Sequence, residues 1–169
     1  MTATSFFPHL ADALTADART QQLRRLRLAR TRAGVSVRRA LAPSGATRRR
    51  QRVEVCGAAN MLTALGVRVQ VVGAAVPWPR ADRVVVSDHT GWLGDLALSI
   101  AVPRTPVITG RALPAGAVVC PVVLRYRTAA GYLGWDEVPR TPAEVAAARD
   151  LVVEVHRLPA LSPDLVAAA

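Results

Sequence analysis

The sequence predicts an α/β fold: a mixed, mostly parallel sheet flanked by helices, preceded by a basic helical arm. Three observations predict it. From residue 53 onward, short β-branched runs alternate with stretches of helical periodicity, as in α/β sandwiches and mostly parallel sheets. Of the 169 residues, 51% are hydrophobic and 20% charged, enough apolar mass to bury a core. The positive charge is also confined to one end. Residues 1–52 hold 12 arginines against Asp12 and Asp17, whereas residues 53–169 hold ten arginines against ten acids. This divides the chain into an Arg-rich, partly flexible arm, 1–51, and an α/β domain, 52–169.

In the arm, Leu23, Leu26, Ala33, Val37 and Leu41 recur at spacings of three, four or seven, with most arginines off that line. The spacing predicts one or two basic amphipathic helices interrupted at Gly34. Pro43, Ser44 and Gly45 break the pattern. A helix follows over 53–65, ending at Gly66 as a left-handed cap. Val67, Val69 and Val71 then alternate with polar residues as a half-buried strand does. Residues 83–87, RVVVS, read as an interior strand, and a helix runs from Trp92 to about Ile100, stopped before Pro103. Residues 107–109 and 117–126 predict two more strands. Pro121 makes the second an edge strand or one that carries a bulge, because proline has no amide to donate. Thr141, Pro142 and Glu144 form a helix start, by cap, first-turn proline and capping box. Residues 151–156 predict the last strand.

The longest uncharged run, residues 112–124, has 13 residues, short of the roughly 20 that cross a bilayer. No basic segment precedes an apolar one at the N-terminus, so no secretory signal is expected. Cys56 and Cys120 lie far apart without a nearby histidine, which predicts two buried thiols in a reducing compartment and no metal site. All 22 basic residues are arginine, a bias that a GC-rich bacterial genome produces without selection for guanidinium chemistry. Trp78, Trp92 and Trp135 read as core or interface aromatics, and Tyr126 and Tyr132 as packing residues with solvated hydroxyls.

Of three histidines, only His89 has company. It follows a buried strand, shares its loop with Asp88, Thr90 and Gly91, and precedes Asp95 by six positions. Loops at the carboxyl ends of strands are where α/β sheets bind ligands. A histidine oriented by a carboxylate takes a proton from a hydroxyl, general-base help worth about 10²–10⁴-fold. The bland alternative is that His89 and its neighbouring Asp cap the Trp92 helix without chemistry.

Residues 52–102 resemble the opening of the 1-acylglycerol-3-phosphate acyltransferase (lysophospholipid acyltransferase) family. There a helix ending in LG leads to a strand, then to a second strand and an NHxSxxD block followed by apolar helix. Here the text is LTALGVRVQVVG and then VVVSDHTGWLGDLAL. The stretches VVCPVVLRYRTAAGYLGW and LVVEVHRLPAL are similar to that domain's closing VxPVALRY and LPPL-type segments. The resemblance implies a shortened glycerolipid acyltransferase-like fold that moves an acyl chain from acyl-CoA or acyl carrier protein to a lysophospholipid-like acceptor. It assigns His89 as general base and Asp95 as its orienter; Asp88, Thr90, Gly91 and Trp92 beside them, with Arg111, are the candidate substrate-binding residues. No cofactor is implied beyond the acyl donor.

The departures are specific. Five residues rather than four separate His89 from Asp95, which rotates the carboxylate by about 100° on a helix unless a bulge absorbs the extra residue. The family's Asn is Asp88, a competing carboxylate, and its Ser is Gly91. The phosphate-binding blocks between the first motif and PVVLRY are missing. Arg104, Arg111, Arg125 and Arg127 are the available substitutes. A catalytically inactive, lipid- or partner-binding derivative is therefore the alternative reading. Basic N-terminal helices in such enzymes rest on the bilayer, so residues 19–52 are expected on an anionic membrane surface, at the cytoplasmic inner face. Nucleic-acid binding uses the same charge, but no aromatic residue is interleaved there to stack bases.

Overall fold

The computed structural model describes residues 16–43, 45, 47–73, 78–79, 83–87, 91–103, 105, 107–108 and 116–161. Helix α1 (Ala18–Ala40) and helix α2 (Thr47–Leu65) form a hairpin. Strand β1 (Arg68–Val72), strand β2 (Arg83–Ser87), helix α3 (Trp92–Ala101) and the two-residue strand β3 (Val107–Ile108) follow. Strand β4 (Val118–Thr128) turns into the short β5 (Gly131–Tyr132), then a 3-10 turn (Trp135–Glu137), helix α4 (Pro142–Ala147) and strand β6 (Val152–Arg157).

The strand order is β1-β6-β4-β2-β3, with β5 hairpinned onto β4. Strands β1 and β6 pair in parallel, as do β2 with β4 and β2 with β3; β4 runs antiparallel to β6 and β5. The mixed sheet expected from the sequence is therefore present. Side chains alternate across it. Val85, Cys120, Val122, Leu124, Tyr126, Val153 and Val155 share one core with Leu62 and Leu65 of α2, Leu93, Ala97 and Leu98 of α3, Val145 and Ala146 of α4, and Leu28 of α1. The helices gather on that face.

Helix α1 is continuous and passes through Gly34, where no neighbour approaches. Its packing face is not the row with most of its leucines. Gln21, Arg24, Leu28, Thr31 and Val35 turn inward, while Leu23, Leu26, Val37 and Leu41 are exposed. The inward row holds two apolar residues seven apart and is completed by a charged one, so it is invisible to a count of apolar spacing. Val35 sits where a Cβ at Gly57 of α2 would be, 3.0 Å from its methyl carbon, so glycine lets the helices approach. Arg24 donates to the carbonyls of Ala146 (3.1 Å) and Ala148 (2.7 Å) at the end of α4. It also crosses over Gly66 at the end of α2, placing a cation at the negative ends of two helices. Gly66 has φ 74°, so it serves both as the left-handed cap expected there and as the gap for Arg24.

Three local expectations change. Helix α2 begins at Thr47, not Val53, so Arg48, Arg49, Arg50 and Arg52 stand in its first turns; arginine is a good helix former. Cys56 is exposed on that helix, whereas Cys120 is buried, and burial pushes its thiol up. Strand β4 is interior, and the edge alternative for Pro121 fails. Its carbonyl accepts from Leu158 N at 3.1 Å, and pairing that ends at Val122↔Arg157 resumes at Val119↔Leu161, leaving one extra residue on the facing side. The proline thus sits beside a bulge, where its missing amide leaves no ladder bond unmade.

Helix α4 starts as the sequence predicts. The Thr141 hydroxyl accepts from Glu144 N at 3.2 Å, and the Glu144 carboxylate reaches back to the amides of Arg140 and Thr141. Those amides hold the Glu144 carboxyl below the usual range.

Candidate functional site

Strand β2 is buried at Val84 and Val85 and ends at buried Ser87. The chain re-enters the described structure at Gly91, the N-cap of α3, with φ −140° and ψ 158°. Gly91 itself has no side chain to cap the helix. Asp88, His89, Thr90, Arg104 and Arg111 lie outside the described residues; Gly91, Trp92 and Asp95 lie within them.

Asp95 is exposed in the first turn of α3, where the positive helix end favours a carboxylate. Its amide donates to Gly91 O at 3.0 Å, and its carbonyl accepts from Ser99 Oγ at 2.7 Å. The helix is therefore regular across buried Gly94, and no bulge between Trp92 and Asp95 absorbs the extra residue of the motif. Among the described residues, the Asp95 carboxylate has no hydrogen-bond or ion-pair partner. Trp92 is half-buried, and its indole donates to Arg140 O at 2.7 Å. It ties the start of α3 to the segment that leads into α4.

Arg125 and Arg127 do not join this site. They alternate with Leu124 and Tyr126, whose side chains meet α3 in the core, so both arginines lie on the opposite face of the sheet. There they belong to a polar cluster that sequence reasoning missed. Glu154, only 5% exposed, accepts from Arg127 Nε at 2.5 Å on Oε1. Its Oε2 takes the Tyr132 hydroxyl at 3.1 Å and His156 Nε2 at 3.2 Å. Arg127 Nη2 also donates to Gln70 Oε1 at 3.2 Å. The Arg127 guanidinium, aided by Tyr132 and His156, holds the Glu154 carboxyl below the usual range against the opposing effect of burial. The Tyr132 hydroxyl is bonded rather than merely solvated. The signal lay in period two: Glu154 and His156 are two apart, as are Arg125 and Arg127, and each pair shares a face. What the sequence lacked was the pairing of β4 with β6.

On the covered face, Arg157 donates to Ala101 O at the end of α3 and lies 5.4 Å from the Trp78 ring centroid. Trp78 in turn donates to Leu158 O at 2.9 Å. Among the described residues no cluster of side chains is suited to a metal ion, and no helix is long and apolar enough to cross a membrane.

No family model and no curated protein sequence matches this chain. Among solved structures, it is similar to the 1-acyl-sn-glycerophosphate (LPA) acyltransferase PlsC from Thermotoga maritima, with a TM-score of 0.53 at 14% identity. The match covers 85% of this chain and 87% of that one. The chain has the fold of that acyltransferase. At this identity the likeness concerns the path of the backbone alone.

Proposed function

We propose that this chain is an acyltransferase working at a membrane surface, moving an acyl group from acyl-CoA or acyl carrier protein to the hydroxyl of a lysophospholipid-like acceptor. The observation that carries the reading is the likeness of fold to a lysophosphatidate acyltransferase, in a chain whose β2-to-α3 connection carries a His and an Asp. In this reading His89 takes the proton as the acceptor oxygen attacks the thioester carbonyl, and the thiol of the donor departs. Asp95, at the start of α3, orients the imidazole and stabilises its cation. Arg111 is proposed to contribute to the acceptor's anionic group.

The exposed row Leu23, Leu26, Val37 and Leu41 supports the membrane location, since an apolar stripe flanked by arginines suits the interface of an anionic bilayer. One observation favours a second reading, a catalytically inactive lipid-binding derivative: α3 is regular through Gly94, so no bulge between Trp92 and Asp95 absorbs the extra residue of the motif. Mass-spectrometric acyl-transfer assays decide between them, with both donors against lysolipid, alcohol and amine acceptors. Product that vanishes in His89→Ala and falls in Asp95→Asn is the expected result. Folded protein that binds anionic vesicles but yields no product with any pair selects the inactive derivative.

A further inference from the structure

The face of the sheet opposite the helix-covered core carries more than the packing of Glu154 requires. Arg127 alone neutralises that carboxylate through Oε1, and Tyr132 and His156 occupy Oε2. Two features are left over. Arg125 is in register with Glu154 on β4 yet is exposed and lies over the Tyr132 ring, 6.0 Å from its centroid. It has no carboxylate partner among the described residues. His156 must carry its proton on Nε2, because an ionised carboxylate only accepts. In the neutral imidazole Nδ1 is then a bare lone pair, on a ring whose side chain is 26% exposed.

These two groups are diagonal neighbours across the β4–β6 ladder, where same-face side chains stand about 7–8 Å apart. One ligand group can bridge that span if it offers negative charge to a guanidinium and a proton to an imidazole nitrogen. A carboxylate at neutral pH has charge and no proton to give. A phosphomonoester keeps at least one charge in either form, and its second pKa near 6 lies beside that of an imidazole, so its monoanion can share a proton with the ring where a carboxylic acid is already ionised. The charge on this face points the same way. Arg68 and Gln70 from β1, Arg125 and Arg127 from β4, Tyr132 from β5 and Glu154 with His156 from β6 make one acid against three arginines.

We propose that this face is a phosphomonoester-binding site, in which Arg125 pairs with the phosphate oxygens and His156 Nδ1, held in place by Glu154, accepts the phosphate proton. It lies across the sheet from Asp95 and stands apart from the acyl-transfer reading. Tyr132 keeps Arg125 raised over its ring and so presents the guanidinium before any ligand arrives.

The test is a titration of the full chain with inorganic phosphate, followed by the NMR signals of the His156 ring and the Arg125 Nε–H. Sulfate at equal ionic strength is the comparison, because it brings charge without a transferable proton. Saturable shifts at both groups with phosphate, and binding of sulfate about tenfold weaker or more, are expected. Arg125→Ala should weaken phosphate about tenfold, and His156→Gln should erase the preference for phosphate over sulfate. Phosphatidic acid in phosphatidylcholine vesicles forms a second arm. Shifts there but not with free phosphate identify a lipid headgroup as the source, and shifts with free phosphate identify a soluble ligand. Measurable but equal binding of phosphate and sulfate, a His156 ring unmoved by both free phosphate and phosphatidic acid, or an Arg125→Ala variant that binds normally overturns the proposal. The phosphate–sulfate comparison uses unmodified protein, so it stands even if a variant fails to fold.

Discussion

The two faces of the sheet are held by different physics. The covered face is closed by aliphatic side chains of α2, α3 and α4, with Leu65, Leu98, Val153 and Val155 at 1% exposure or less. The opposite face, at β1, β6 and β4, is joined by one buried carboxylate and its donors. The same strands serve both, because consecutive residues point to opposite sides. Apolar burial is cumulative and insensitive to pH. A buried ion cluster fails as a unit when one member is removed, and it responds to protons.

That contrast can be broken first where packing is densest. Leu98→Ala, which opens a hole between α3 and the sheet, should cost about 3–5 kcal/mol in chemical denaturation. On the other face, Arg127→Ala leaves Glu154 buried beside two neutral donors and should cost about 3 kcal/mol, the low end for breaking a buried pair, since Arg127 is one-third exposed. A variant of its partner, Glu154→Gln, tests the comparison through pH. The Glu154 carboxyl titrates below its ordinary value of 4.5 in the folded chain, so its contribution is complete above that value and is lost as pH falls through the lower, folded pKa. Acid denaturation of Glu154→Gln should therefore lack that part of the wild-type slope, whereas Leu98→Ala should shift the whole curve and keep it.

Helix α1 reproduces the contrast on a smaller scale. Arg24→Ala removes a charged donor from two carbonyls and should cost about 2 kcal/mol, with faster amide exchange along α1. Thr141→Ala, which removes the cap of α4 beneath it, should cost about 1 kcal/mol. Leu26→Ala, on the outward row, should change stability by less than about 0.5 kcal/mol. It should still weaken binding to anionic vesicles, measured by co-sedimentation. A Leu26→Ala variant as unstable as Leu98→Ala would show that the outward row is covered by protein instead.

Much of the fold is legible from short windows. The α4 capping box, the Gly66 stop, the interior run of β2 and the α3 boundary before Pro103 are each set by residues within a few positions of one another. Of the candidate site, the position of Asp95 in the first turn of α3 follows from a helix that begins at Trp92. His89, Asp88, Thr90 and Arg111 lie outside the described residues, and their roles rest on the proposed function.

Local residue order is enough for the α/β alternation, the caps, the stops and the concentration of charge in residues 1–52. Which of two faces each element turns inward is settled by packing across the fold. Periodicity names a helix row or a strand face but does not say what stands opposite. The row of α1 with more leucines faces out because Arg24 meets two helix ends and Val35 meets a glycine. Likewise, Glu154, His156, Arg125 and Arg127 each look like ordinary strand residues until β4 and β6 pair. That pairing joins positions roughly 30 residues apart, and no local preference encodes it, because its stability comes from contacts that exist only once the chain has closed.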